Sequence, residues 1–307
     1  MINSKLMIFF INYCIITLKS RGIEQMEIIE KAPAKINLGF DVLSKRTDGY
    51  HNVETIMTSI DLADYLTFSL RDDQKIVIET ENSFLPLDEN NHIYQACQLI
   101  REHSKMTFGV TIKLRKRIPV AAGLAGGSSD AAATLRGLNR LLNLNYSIEE
   151  LTRLGSQIGS DVPYCLIGGT VLATDIGTSI KVITNVPACW VVVVKPAVSI
   201  STKRIFKEIN LDGITHPHIA RLLEAIEQKD YKQMCSYMDN ALEHITSKHC
   251  PQIHSIRRCL LKLGADSVVM TGTGPTMLGF FQNRRKAEKI INGLKGFCNE
   301  VYLVRTI

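Results

Sequence analysis

Pro119-Val120-Ala121-Ala122-Gly123-Leu124-Ala125-Gly126-Gly127-Ser128-Ser129-Asp130 is the stretch on which the reading of the fold turns. It follows a run at 110–118 that alternates like a strand and precedes a run at 131–142 with helical spacing. Small side chains leave its backbone free to bend tightly and to bring N–H groups close to an anion. Ser128 and Ser129 sit where the helix is expected to begin. A hydroxyl there either caps a free N–H or bonds a phosphate oxygen, and the helix dipole favours negative charge. The reading is a phosphate cradle, and the paired serines weigh against a plain strand-to-helix turn. The stretch is not a Walker A loop, because no lysine follows Gly127. Nor is it a dinucleotide fingerprint, because Gly123, Gly126 and Gly127 have the wrong spacing. Neutralising charge must come from elsewhere in the chain or from a metal.

The 307 residues are 45% apolar and 21% charged, enough for one large domain or two medium ones. A net charge of +6 suits an anionic small molecule, while no basic tract interleaved with aromatics argues for nucleic acid. Eight cysteines are scattered without a Cys-x-x-Cys pair, which predicts reduced thiols in a cytoplasmic protein. Residues 6–18 are mostly apolar but fall short of the roughly 20 residues that a membrane span needs. No small-x-small cleavage site marks a signal peptide. Residues 1–25 read as a non-native extension, with translation expected to begin at Met26. Codons for Ser20-Arg21-Gly22 have room for a purine-rich ribosome-binding tract at the right place.

Strands are expected at 26–32 and 36–43 on either side of Pro33, then at 53–60, 65–70 and 75–80. A helix is expected at 91–104. Ser147-Ile148-Glu149-Glu150 is a capping box that opens a further helix. Gly159-Ser160-Asp161-Val162-Pro163 breaks it. A boundary near 184–187 divides a domain at 26–185 from one at 186–307. The second has helices expected at 201–209, 217–228, 231–245, 252–263 and 284–294, among strands at 190–195, 267–270, 277–281 and 301–305. Strands mixed with helix pairs indicate the α+β class.

Pro119-x-x-x-Gly123-Leu124-x-Gly126-Gly127-Ser128-Ser129 resembles the ATP-binding motif of the galactokinase, homoserine kinase, mevalonate kinase and phosphomevalonate kinase (GHMP) superfamily. Ala32-Pro33-Ala34-Lys35-Ile36-Asn37-Leu38 resembles its first motif, and Thr271-Gly272-Thr273-Gly274-Pro275-Thr276 its third. The resemblance runs from about residue 26 to the end. It implies a two-domain α+β GHMP kinase fold: an N-terminal domain like domain 2 of ribosomal protein S5, and a ferredoxin-like C-terminal domain. ATP and a small-molecule acceptor would meet between them. ATP is then the co-substrate, bound by Pro119, Val120, Ala121, Ala122, Gly123, Leu124, Ala125, Gly126, Gly127, Ser128 and Ser129. Mg²⁺ is expected with it, with no residue singled out as its ligand.

Arg46-x-Asp48-Gly49-Tyr50-His51 and Gly159-Ser160-Asp161-Val162-Pro163 point to one branch of that superfamily. Its acceptor is a cytidine diphosphate-linked methylerythritol, phosphorylated on the 2-hydroxyl. The resemblance makes Asp161 the base and Lys35 the cation that keeps Asp161 ionised and stabilises the moving phosphoryl group. A carboxylate is a weak base for an alcohol, so positioning must carry much of the work. Asn37 shares the strand face of Lys35 and is similar to a residue that binds the methylerythritol end. Tyr50 and His51 match a cytosine-binding pair, and Phe206 resembles the aromatic that sandwiches the base. An aromatic face stacks on a pyrimidine and an imidazole bonds its edge. Without the resemblance, Asp161 reads as a turn residue, Tyr50 and Phe206 as core, and Lys35 and His51 as solvated. Ala121 and Ala122 stand where many members have glycine, and ATP binding is expected to survive. No membrane or nucleic-acid partner is expected, and the chain would act as a monomer or homodimer. The rivals are a sister kinase for homoserine or mevalonate, and a non-catalytic nucleotide-binding protein.

Overall fold

The computed structural model describes residues 6–10, 13–20, 23–294, 298 and 300–307. Residues 1–5, 11, 12, 21 and 22 of the expected extension lie outside the described residues. The chain forms two compact units that interleave along the sequence. The first takes Met1–Ala34, Ala63–Ile118 and Gly126–Ile167, and the second takes Lys35–Leu62, Pro119–Ala125 and Gly168–Ile307.

In the first unit, β1 (Leu6–Phe10) and β2 (Tyr13–Ser20) pair antiparallel, and β2 pairs with the start of β3 (Ile23–Lys45). The second half of β4 (His51–Arg71) lies here. The unit also holds β5 (Ile76–Thr80) and α1 (His92–Ser104), followed by β6 (Gly109–Arg115). Tyr65 to Arg71 pair antiparallel with β6, and β5 joins β6 in parallel. Pro33 does not end the strand as expected; β3 runs through it. A proline removes only its own N–H donor, and its carbonyl here accepts the Ser129 hydroxyl at 2.7 Å. The gap expected between 60 and 65 is likewise bridged, because Leu62, Ala63 and Asp64 are all buried along one extended strand.

Three helices follow in this unit: α2 (Gly126–Leu141), α3 (Ile148–Gly155) and α4 (Val162–Ile167). The Asn91 side chain caps α1 by accepting from the Ile93 N–H, and Ser147 and Glu150 form the expected capping box on α3. α2 starts at Gly126 rather than at 131, so the serines lie in its first turn. There a helix has N–H groups without internal partners, and weak helix formers are tolerated. Ile93, Cys97 and Ile100 of α1, with Leu135 and Leu138 of α2, supply buried faces. Glu30 is buried and pairs with Arg136 at 3.1 Å and with Arg140. Burial pushes its carboxyl up, and the two arginines offset only part of that.

In the second unit, Thr55 to Thr58 of β4 pair with β7 (Thr170–Thr174), which pairs with β8 (Ser179–Val182). The chain continues through β9 (Trp190–Lys195), α5 (Thr202–Lys207), α6 (Ile219–Glu227) and α7 (Tyr231–Tyr237). Next come β10 (Asp239–Asn240), α8 (Glu243–His249), α9 (Gln252–Lys262), β11 (Ser267–Met270) and β12 (Met277–Phe281). It closes with α10 (Arg284–Leu294) and β13 (Glu300–Arg305). The single helix expected at 231–245 is two, because Asp239 and Asn240 pair in parallel with Gly39 and Phe40 of β3. A four-stranded antiparallel sheet has the order β11-β12-β9-β13, the ferredoxin-like arrangement. Val192, Val194, Met277, Phe281, Ile256, Leu260 and Ile290 form its core. Cysteines 97, 165, 189, 235, 250, 259 and 298 are free thiols. Among the described residues no helix is long and apolar enough to cross a membrane.

The α2 packing generates a test. A Cβ on Gly137 would lie 2.6 Å from the Phe68 ring. Gly137→Ala is expected to destabilise the chain by about 1–3 kcal/mol, outweighing the ~1 kcal/mol gain in helix propensity. A lower urea midpoint at constant m-value checks this; an unchanged or raised midpoint contradicts the close contact.

Candidate functional site

The second unit assembles one polar cluster from three distant stretches. Lys35 and Asn37 lie on one face of β3, both buried. The Lys35 ammonium donates to Asn37 Oδ1 at 2.8 Å. Asn37 Nδ2 donates to Thr55 Oγ1 at 2.8 Å, and that hydroxyl donates to the Gly39 carbonyl at 2.7 Å. The Asn37 N–H donates to Thr271 Oγ1 at 3.0 Å, and Thr271 donates back to Asn37 Oδ1 at 3.1 Å. The first and third motifs are thus bonded side chain to backbone. The glycine-rich loop joins them: the Lys35 N–H donates to the Leu124 carbonyl at 3.2 Å. A Cβ on Gly123 would lie 3.1 Å from the Thr271 carbonyl, and one on Gly272 3.7 Å from Lys35 Nζ.

The backbone of the loop is tightly wound. Gly123 has φ 72°, and Ala121 and Ala125 have φ 53° and 55°. Alanine in this left-handed region costs about 1–2 kcal/mol, so two of the loop's alanines hold a conformation that suits glycine. Ala122 is buried, while Val120 is exposed. Asn240, which sequence reasoning passed over, holds the third motif: its Nδ2 donates to the carbonyls of Met270 at 2.7 Å and Gly272 at 2.8 Å. Thr246 donates to the Thr273 carbonyl at 3.1 Å. The one signal for Asn240 was an Asp-Asn pair inside an otherwise helical run.

The turn at 46–50 belongs to the same unit. Arg46 Nε donates to Asp48 Oδ2 at 3.0 Å, and the Tyr50 N–H donates to Asp48 Oδ1 at 3.0 Å. Arg46 also bonds Asn52 at 3.3 Å and pairs with Asp175. The Tyr50 N–H, followed by Arg46, holds the Asp48 carboxyl below its ordinary range. The braced turn leaves Tyr50 62% exposed and buries His51 against Phe206 of α5, ring centroids 5.5 Å apart. Burial, and to a smaller degree Lys45, lowers the His51 pKa, so the ring is neutral at pH 7. Its Nδ1 makes no hydrogen bond among the described residues. A buried, neutral ring nitrogen beside an aromatic face is suited to a planar polar ligand.

The first unit holds the N-terminus of α2 and Asp161. Ser129 is buried and its hydroxyl is given to the Pro33 carbonyl, whereas Ser128 is half-buried. His92 faces the same turn, 3.3 Å from where a Cβ of Gly127 would lie. Burial lowers its pKa. Asp161 is half-buried in the turn before α4, and its carbonyl accepts the Cys165 N–H. Asp161 lies in the first unit, and Lys35, Asn37, Tyr50, His51 and Phe206 lie in the second.

Just before the loop, Lys116 donates to Asp64 Oδ2 at 2.5 Å and to Asp130 Oδ2 at 2.6 Å, all three side chains being almost fully buried. Asp64 Oδ1 accepts the N–H groups of Arg117 at 2.5 Å and Ile118 at 2.8 Å. Burial pulls the Lys116 ammonium down, but Asp130 and Asp64 outweigh it and hold it above its ordinary value. Among the described residues no three His, Cys, Asp or Glu side chains gather as a metal-ligand set.

Residues 91–169 match the GHMP kinases N terminal domain, and residues 210–300 match the GHMP kinases C terminal family. The chain is 53% identical over 282 residues to the 4-diphosphocytidyl-2-C-methyl-D-erythritol kinase of Enterococcus faecalis, covering 92% of this chain and 100% of that one. It is 51% identical to the enzyme of the same name from Bacillus subtilis, covering 92% and 98%. Its fold is similar to a crystal structure of 4-(cytidine 5'-diphospho)-2C-methyl-D-erythritol kinase. That match has a TM-score of 0.78, 28% identity, and covers 91% of this chain and 98% of the other.

The buried acids generate a pH prediction. Burial pushes the Asp130 carboxyl up, Lys116 pulls it down, and the Asp64 carboxylate pushes it up again, leaving it well above the usual range. The folded chain then binds this proton more tightly than the unfolded one. Stability is lost as pH rises from the ordinary carboxylate value through the raised one. Asp130→Asn removes that loss. Its thermal midpoint relative to the parent is expected to climb as pH rises above the ordinary carboxylate value of about 4; a constant difference would contradict the raised value.

Proposed function

We propose, from the premise that the chain belongs to the GHMP kinase family, that it phosphorylates 4-diphosphocytidyl-2-C-methyl-D-erythritol on its 2-hydroxyl with ATP. The products are ADP and the 2-phosphate, a step of the non-mevalonate route to isoprenoid precursors. The observation that carries the acceptor is His51: its ring is buried 5.5 Å from that of Phe206, its Nδ1 makes no hydrogen bond among the described residues, and the residue before it, Tyr50, is exposed. That arrangement suits a cytosine, whose face stacks on an aromatic and whose edge needs a hydrogen-bond partner.

Each further role rests on position. Residues 119–129 cradle the phosphates through backbone N–H groups and the first turn of α2. Ser128 is the hydroxyl available to phosphate, since Ser129 is bonded to Pro33. Lys35, fixed by its bond to Asn37, supplies positive charge to the moving phosphoryl group. Asn37 orients the methylerythritol end. Asp161 takes the proton from the acceptor hydroxyl as its oxygen attacks the γ-phosphorus and ADP leaves. Mg²⁺ bound with ATP would supply neutralisation of the phosphate charge, and the hydroxyl of Ser128, half-buried in the first turn of α2, is the protein group that would hold it. The enzyme works in the cytoplasm, as a monomer or homodimer, on a small molecule alone.

A coupled ADP-release assay tests this. Turnover is expected with the cytidyl substrate and not with homoserine or mevalonate; the reverse preference would remove the assignment. Asp161→Asn is expected to lower kcat by about 100–10,000-fold while ATP binding, measured by calorimetry, is kept. Near-normal turnover would exclude Asp161 as the base. Tyr50→Ala is expected to raise the acceptor KM about 10-fold, the worth of one base–aromatic stack, and an unchanged KM would argue against stacking.

A further inference from the structure

We propose that the buried Asp64–Lys116–Asp130 cluster is a clamp that sets the separation of the two ends of the glycine-rich loop, and through it the affinity for nucleotide. The proposal rests on the reading of residues 119–129 as the ATP-binding loop. The last residues before the loop are Arg117 and Ile118, and both give their N–H groups to Asp64 Oδ1. The first residues after it begin α2, whose first turn runs into Asp130. One ammonium, Lys116, bonds both carboxylates. Entry and exit of the loop are thus tied through a single buried ion.

Two observations argue that the tie does more than stabilise. One carboxylate already balances the charge of one ammonium, and the remaining N–H groups of that ammonium need only neutral acceptors. Here a second carboxylate is buried at 4% exposure, and its Oδ1 makes no hydrogen bond among the described residues. What it adds is the reach from Lys116 to α2. The loop also needs to be held: Ala121 and Ala125 sit at positive φ, and such strain persists only where the surroundings over-determine the backbone. Gly126 fits the same scheme, because a Cβ there would lie 3.0 Å from Lys116 Nζ and 3.1 Å from Ile118 Cγ2. The exit of the loop and the clamp are in direct contact. These are positioning residues, acting through the loop.

The test uses the full chain and calorimetry with magnesium and an ATP analogue that has a non-hydrolysable β,γ bond. Lys116→Met is expected to raise the analogue Kd at least about 10-fold and the KM for ATP in step, with the acceptor KM unchanged. Leu66→Ala, a truncation in the β4 core of the same unit, is the control: it lowers the thermal midpoint but leaves the analogue Kd within about twofold. An unchanged Kd in Lys116→Met overturns the clamp. So does an equal loss of affinity in Leu66→Ala, which would make the cluster merely structural. If Lys116→Met does not fold, Asp64→Asn keeps an oxygen for Arg117 and Ile118 and loses only the Lys116 arm. It carries the same expectation at a smaller factor, and an unchanged Kd again overturns the proposal. Analogue binding without turnover of the cytidyl acceptor would remove the acceptor assignment alone; no analogue binding by the parent chain would remove the nucleotide reading and the clamp together.

Discussion

A loop that binds phosphate through N–H groups and hydroxyls, with no cation of its own, leaves several negative charges to be met by something else. Backbone dipoles and a helix terminus offset part of that charge, not all of it. The rest of the chain answers this constraint. Lys35 sits on β3, far from the loop in sequence, and is bonded to it through the Leu124 carbonyl. Its ammonium is held in place by Asn37, and Asn37 by Thr55 and Thr271. A lysine left on a flexible stem would sample many positions; buried and hydrogen-bonded, it has lost that freedom on folding rather than on binding.

The same economy governs the turn at 46–50. Arg46 and Asp48 bond each other and the backbone around them, so the turn is rigid before any ligand arrives. That rigidity presents Tyr50 outward and His51 inward against Phe206. The imidazole is kept neutral by burial, which leaves one ring nitrogen as an acceptor and the other as a donor. A charged ring would offer two donors and a poorer match to a pyrimidine edge.

Part of the fold is legible in the sequence alone. The capping box at Ser147 and Glu150 formed as read, because both partners are local and a helix start is decided within one turn. Strand runs such as 190–195 and 277–281 emerged in place, since a buried apolar strand announces itself by composition. Failures came where tertiary pairing overrode local preference. β3 ran through Pro33, β4 closed the gap at 61–64, and the helix expected at 231–245 divided around Asn240. Asn240 went unassigned, and Thr271 was legible only as part of the third motif, because their value lies in bonds to residues at least 30 and more than 200 positions away, respectively. No periodicity encodes that.

By itself, the sequence determined the kinds of chemistry present: a cation-free phosphate loop, a lysine in an apolar strand, a turn rich in polar residues ahead of an aromatic pair, and an Asp in a helix break. Each is a local statement about side-chain type and backbone freedom, and such statements survive folding because they depend on near neighbours. Only the tertiary structure decided which serine stays available, since Ser129 is given to Pro33, and that His51 is buried against Phe206 rather than solvated. It alone decided that Lys116 sits between two buried carboxylates. These are outcomes of burial and of contacts between distant segments, where the cost of an unpaired polar group selects the partner.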